Sequence, residues 1–178
     1  MADHRTSMGI DICFEKGTVV SPLSGADKFE AIRALIRGAP VFREIADLEE
    51  FEASVIERER AQSTGFGRGV AIAHGPTSKV SRVLVGMGIS REGIPFEATD
   101  GKPVHLLFII ASPPHMNLDY LRVLSALVRC LREQAVRDSL LSPVDVSDIE
   151  RRMREVFARG LEQSIAPNRG TQACGAAG

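Results

Sequence analysis

Arg58-Glu-Arg-Ala-Gln-Ser-Thr-Gly-Phe-Gly-Arg-Gly-Val-Ala-Ile-Ala-His74-Gly75 passes from a polar helix end through a glycine-rich turn into a short apolar run. Gly65, Gly67 and Gly69 put three glycines within five residues, which marks a backbone that bends where a Cβ would be costly. Val70 to Ala73 reads as a short buried strand. His74-Gly75 ends it, so the imidazole belongs to a strand end, where functional side chains emerge. Helix, turn and strand thus succeed one another within a single stretch.

Taken as residues alone, His74 keeps two readings. One is a strand-end histidine satisfied by hydrogen bonds. The other is a nucleophile or acid/base group, which a neutral imidazole suits near pH 7. No second His or Cys stands nearby at ligand spacing, which disfavours a metal site. The glycines do not form GxGxxG, and no Gly-Lys-Ser/Thr follows them, so neither phosphate-loop motif is present.

Outward from this stretch, the same alternation of elements continues. Residues 1–9 are polar and read as a loose N-terminus. Ile10 to Phe14 reads as an edge strand, and Lys16-Gly17 turns into Thr18-Val-Val20. A helix is expected from Ser24, its start favoured by Asp27, with Phe29, Ile32, Leu35 and Ile36 inward and Gly38 and Pro40 at its end. A second helix is expected from Asp47, with Glu50 at the capping-box position and Leu48, Phe51, Val55 and Ile56 inward. Its end, Glu57 to Arg60, reads as a solvated face with local ion pairs. Val80 to Ile89 reads as a strand, Gly93 to Gly101 as a long turn, and Val104 to Ala111 as a central buried strand. After the Ser112–His115 loop, Asn117 is expected to cap a helix with Leu118, Leu121, Leu124, Val128 and Leu131 on one inward stripe. A last helix is expected from Ser147, with Glu150 as its capping partner, Ile149, Met153, Val156 and Phe157 inward, and a stop at Gly160. Residues 161–178 read as a mobile small-residue tail. The interleaving predicts one α/β domain over residues 10–160, with a mixed, mainly parallel sheet covered by helices.

Composition bounds the function. The 178 residues suffice for one domain with a sizeable core, and 44% of them are apolar. Lys and Arg total 22 against 23 Asp and Glu, so no general attraction to nucleic acid or anionic membrane is indicated. The lack of Trp and the single Tyr argue against base-stacking platforms. Three widely spaced cysteines, Cys13, Cys130 and Cys174, without a CxxC, fit a reduced, cytoplasmic protein, and Cys130 reads as a core or boundary residue. The longest apolar runs are too short to span a bilayer, and no signal pattern opens the chain.

The pattern of Arg58-Glu59, Ser63-Thr64-Gly65, and Gly69, Ala71, His74 and Gly75 resembles the active-site signature of phosphotransferase-system (PTS) enzyme IIA domains of the fructose/mannitol/nitrogen-regulatory type. Gly93-Ile-Pro-Phe-Glu-Ala-Thr-Asp-Gly101 and Pro103 to Pro113 extend the resemblance, which covers most of residues 20–160. It implies a mixed sheet of about five strands with helices on both faces. It also implies a phosphohistidine carrier that accepts a phosphoryl group from the phosphocarrier HPr on His74, with Arg58, Ser63 and Thr64 around the anion and no cofactor or metal. A membrane transporter would then be a separate chain. Ala73 departs from the family, which usually has proline there, and loses only a φ restraint. The family's second active-site histidine aligns with Tyr120, which can donate a hydrogen bond but carries no charge at neutral pH. His115 is the other candidate for that role. His105 reads as structural, and His4 is uninformative. The implied role is a free-standing regulatory IIA. The alternatives are a sugar-specific transport subunit and a binding module that works by docking alone.

Overall fold

A computed structural model describes Phe14 and residues 16–165. The expected strand over residues 10–14, apart from a turn at Phe14, and the loose N-terminus lie outside the described residues, as does the tail beyond 165.

Among the described residues, five strands form one sheet: β1 (Val19–Val20), β2 (Gly65–Gly67), β3 (Val70–Pro76), β4 (Leu84–Ile94) and β5 (Val104–Ser112), in the order β1-β4-β5-β3-β2. The β1/β4 and β3/β5 pairs are parallel, whereas β4/β5 and β2/β3 are antiparallel. The sheet is therefore mixed in equal parts rather than mainly parallel. Five α-helices cover it: α1 (Lys28–Gly38), α2 (Leu48–Ala61), α3 (Asn117–Leu131), α4 (Gln134–Leu141) and α5 (Val146–Ile165).

Strand alternation divides the core. Val70 and Ile72 of β3 face the cluster built with α3 and α5, while Ala71 and Ala73 face the cluster built with α1 and α2. The glycine turn that sequence reading placed before β3 is a two-stranded hairpin: Gly65 pairs with Ala71 and Gly67 with Val70. Its tip turns through Gly67, Arg68 and Gly69 at φ +88, +60 and +76, a left-handed run that the two glycines accept at little cost and the arginine between them does not.

Several helix ends follow their side chains. Asp47 caps α2 as expected, accepting the Glu50 amide at 2.9 Å, but Asp27 rather than Ser24 caps α1, through the Glu30 amide at 2.9 Å. At α5, the Asp145 carboxylate takes the Ser147 amide at 2.7 Å. Glu150 is not a capping partner there. It is buried and accepts the Gly17 and Thr18 amides at 2.8 and 3.2 Å, tying α5 to the start of β1. The helix also continues through Gly160, whose missing Cβ matters for packing instead: a methyl there would sit 2.9 Å from the Ala126 carbonyl oxygen of α3.

That close α3–α5 contact explains a further correction. Leu118 and Leu121, expected inward, are 71% and 45% exposed, while Val123, Ala126, Leu127, Cys130 and Leu131 are buried. Two adjacent apolar stripes were available on α3, and the one holding small Ala126 lets α5 approach. Burial pushes the Cys130 thiol up to about 12, as befits an inert core cysteine. β4 begins at Leu84 rather than Val80, and α4 is a short helix of eight residues that the sequence reading does not include.

Candidate functional site

His74 sits near the C-terminal end of β3, paired with Ile110 of the parallel strand β5. Parallel neighbours end at the same edge, so the segment leaving β5 begins beside the histidine. That segment, through the one-turn 3-10 helix Pro114–Met116, leads into α3. Tyr120 lies in the first turn of α3. His74 shares the face of Val70 and Ile72, which is the α3 side, and its ring centroid lies 5.4 Å from that of Tyr120 at a 43° tilt. The structure thus brings these two together. His115 lies exposed on the 3-10 turn.

α2 reaches the same edge from the opposite face. Gly75 makes this possible: a Cβ there would come within 2.7 Å of Val55 Cγ2 and 3.1 Å of the Val55 amide. The close approach brings Arg58, one turn further along α2, into electrostatic range of both rings. Burial first, and Arg58 second, push the His74 imidazole below its ordinary 6.5, opposed by a hydrogen bond to the Ile72 backbone. Burial raises the Tyr120 phenol, and Arg58 acts against it. The guanidinium also holds the Gln62 carbonyl through Nη1 at 3.1 Å, which closes the end of α2.

The turn between α2 and β2 is pinned from below. Glu59 accepts the Thr64 amide on both oxygens, at 3.1 and 3.0 Å, and the Thr64 hydroxyl donates to Oε2 at 2.6 Å. Lys28 Nζ lies 3.5 Å from Glu59 and 2.6 Å from Glu97. Ser63 donates its hydroxyl to the Phe96 carbonyl at 2.9 Å. Both hydroxyl protons are engaged within the protein, so a donor role toward a phosphate would require Ser63 or Thr64 to release its present partner. Glu59 is the residue whose place sequence reading missed. It is 1% exposed rather than part of a solvated run. The available signal was its helical position, three and four residues after inward Ile56 and Val55.

His105 bonds the Ser90 carbonyl through Nδ1 at 2.9 Å, bridging β5 and β4 as a structural histidine does. Among the described residues no group of three or more His, Cys, Asp or Glu is placed to hold a metal.

Residues 12–155 match the family described as phosphoenolpyruvate-dependent sugar phosphotransferase system, EIIA 2. The chain belongs to this EIIA family. It is 37% identical over 131 residues to the PTS system fructose-specific EIIA component of Haloferax volcanii, covering 74% of this chain and 85% of that one. It is 30% identical over 134 residues, 75% of its own length, to the PTS system fructose-specific EIIABC component of Bacillus subtilis, of which it spans only 21%. Its fold superposes on the crystal structure of nitrogen regulatory protein IIA-Ntr from Neisseria meningitidis with a TM-score of 0.73 at 26% identity, covering 83% of this chain and 98% of the other. The EIIA domain is a phosphocarrier component by family, and its five-stranded mixed sheet with flanking helices is that of its structural neighbour. No helix among its described residues is long and apolar enough to cross a membrane.

Proposed function

We propose that this EIIA chain is a cytoplasmic phosphohistidine carrier in which His74 accepts a phosphoryl group from an HPr-type phosphocarrier and passes it to a downstream protein. It turns over no small molecule of its own. The observation that carries the reading is the convergence of His74, Tyr120 and the Arg58 charge on the strand-end edge of β3 and β5. The phosphorus–nitrogen bond forms at one ring nitrogen as the bond to the donor breaks. The lone pair must be free, and both burial and Arg58 favour the neutral ring. The Ile72 backbone, which favours the protonated ring, can hold one nitrogen and so fix the tautomer that leaves the other free. Arg58 keeps N–H groups beyond the one on Gln62, and a guanidinium can grip two phosphoryl oxygens at once. Tyr120 offers a phenol O–H without added charge. Ser63 and Thr64 shape the turn, and glycine-flanked amides there can face an anion.

Incubation with phosphoenolpyruvate, enzyme I and HPr tests the reading. Arg58→Ala is expected to slow transfer roughly tenfold to a thousandfold, the scale for one lost anion-stabilising donor. Its pH profile carries a second readout. In the unaltered protein the acid limb of the transfer rate lies below pH 6.5, because protonation of His74 removes the nucleophile. Arg58→Ala removes one of the two depressing influences, so that limb should move up. An unchanged rate and unchanged limb in the folded variant would defeat the role. Tyr120→Phe should slow transfer by about tenfold at most, the scale of one hydrogen bond, and Tyr120→His should restore or exceed the original rate. A hundredfold loss in Tyr120→Phe would contradict the neutral-donor role.

The regulatory reading is supported by the likeness to IIA-Ntr across nearly that whole protein. A sugar-transport reading draws support from the fructose-specific EIIA relative at 37% identity. Transfer from phosphorylated protein to a fructose-class IIB separates them: rapid transfer favours transport, and none favours regulation. Failure to accept phosphate at all would leave a docking module.

A further inference from the structure

Toward the other end of the sheet, Gly69 precedes His74 by five residues and so lies roughly 16 Å away along the extended chain, beside a separate concavity. A cavity of about 390 Å³ opens there, within the size range of small-molecule sites. Its charged lining comes from three elements: Arg68 of the hairpin, Asp100 and Lys102 of the loop before β5, and Arg137 of α4.

Arg137 is the unusual member. It is 6% exposed, yet no carboxylate among the described residues pairs with it. Its guanidinium meets neutral oxygens only: the carbonyls of Leu131 and Arg132 at 2.7 and 2.9 Å, and the Gln134 side chain. Buried charges are ordinarily matched by opposite charge. Arg68 Nη1 converges on the same Arg132 carbonyl at 3.2 Å.

The simplest explanation is that both arginines cap the C-terminus of α3. A helix end supplies only about half a negative charge. Asp100 adds one more, spent partly on the Arg68 and Lys102 amides at 2.8 and 3.1 Å. Against three cations this leaves about one and a half positive charges in excess. Capping does not account for Lys102, which lies on a different element and still faces the cavity. The surplus fits a dianion. Cations converging from three directions suit the three terminal oxygens of a phosphoryl group better than a flat carboxylate. Apart from Gln134, the remaining wall is built of Gly69, Pro103, Leu106 and Leu141 beside the His105 ring and suits a ring-shaped body.

We infer that the cavity between the β2–β3 hairpin, the loop before β5 and α4 is a binding site for a small phosphomonoester with a ring-shaped body, distinct from the His74 site. The inference does not rest on the phosphocarrier reading.

Isothermal titration calorimetry with adenosine 5′-monophosphate, glucose 6-phosphate, inorganic phosphate and succinate tests it on the full chain. At least one ester should bind saturably with a Kd of about 1 mM or tighter. Lys102→Ala and Arg68→Ala, each checked for an unchanged melting temperature, should weaken it by about tenfold or more, the scale of one charge-assisted hydrogen bond. If a variant melts early, amide shifts of Gly69, Lys102 and His105 on titrating the unaltered protein serve instead. Absence of saturable binding by both esters overturns the site, as does binding that neither variant weakens or amide shifts confined to other residues. Succinate binding more tightly than either ester overturns the phosphate assignment, and inorganic phosphate matching the esters overturns the ring-shaped body.

Discussion

Glu59→Ala is expected to lower the melting temperature by roughly 6–12 °C, the largest stability loss for a polar substitution near the site. The side chain is buried, and its two oxygens serve the Thr64 amide, the Thr64 hydroxyl and Lys28. Removing one partner of a buried charged pair costs about 3–5 kcal/mol, because the remaining charge stays desolvated. Lys28 keeps Glu97 at 2.6 Å, which places the loss near the lower bound, about 3 kcal/mol. At this chain length each kcal/mol corresponds to about 2–4 °C. Glu59→Gln retains an acceptor for Thr64 but loses the charge facing Lys28, so it should fall between the two. Thermal unfolding followed by circular dichroism reads the series. A drop below about 2 °C in Glu59→Ala would show that the brace carries little stability.

His74→Ala is expected to abolish phosphorylation by HPr while leaving the fold intact. The imidazole is only half-buried at the strand end, and its principal contact is the Tyr120 ring, so truncation opens space toward solvent rather than a sealed cavity. No neighbouring group replaces it. Tyr120 is pushed further from ionisation by burial, and the Ser63 and Thr64 hydroxyls are held by Phe96 and Glu59. His74→Gln, closer in size, should be equally inactive because it lacks a nucleophilic ring nitrogen. Radiolabel that persists undiminished in either variant would move the acceptor elsewhere.

Much of this arrangement was legible in the chain because it follows local rules. Asp47 with Glu50 marks the start of α2 through a contact spanning three residues. Tyr120 was singled out by the resemblance, whose second histidine aligns with it, and its place beside His74 follows from β3 and β5 being parallel neighbours that end at a common edge. What remained illegible depends on partners distant in sequence. Glu59 looks like one more charge in a polar run until Lys28 arrives from α1 to meet it. Glu150 looks like a cap until the amides of Gly17 and Thr18, more than a hundred residues earlier, claim its carboxylate. The inward face of α3 was ambiguous because leucines line two adjacent stripes. Packing against Gly160 of α5, rather than summed hydrophobicity, selects between them. α4 escaped notice because its buried face includes an arginine, whose guanidinium reaches the carbonyls at the end of α3 and the Gln134 side chain.

The most direct test of the central claim is to find where the phosphate lands. The protein is phosphorylated with phosphoenolpyruvate, enzyme I and HPr, kept at alkaline pH to preserve phosphohistidine, and mapped by tandem mass spectrometry of its peptides. The account predicts a single modified residue, His74, with His105 and His115 unmodified. Modification of His115 or any other residue in place of His74, or a protein that takes up no phosphate from phosphorylated HPr, would contradict it.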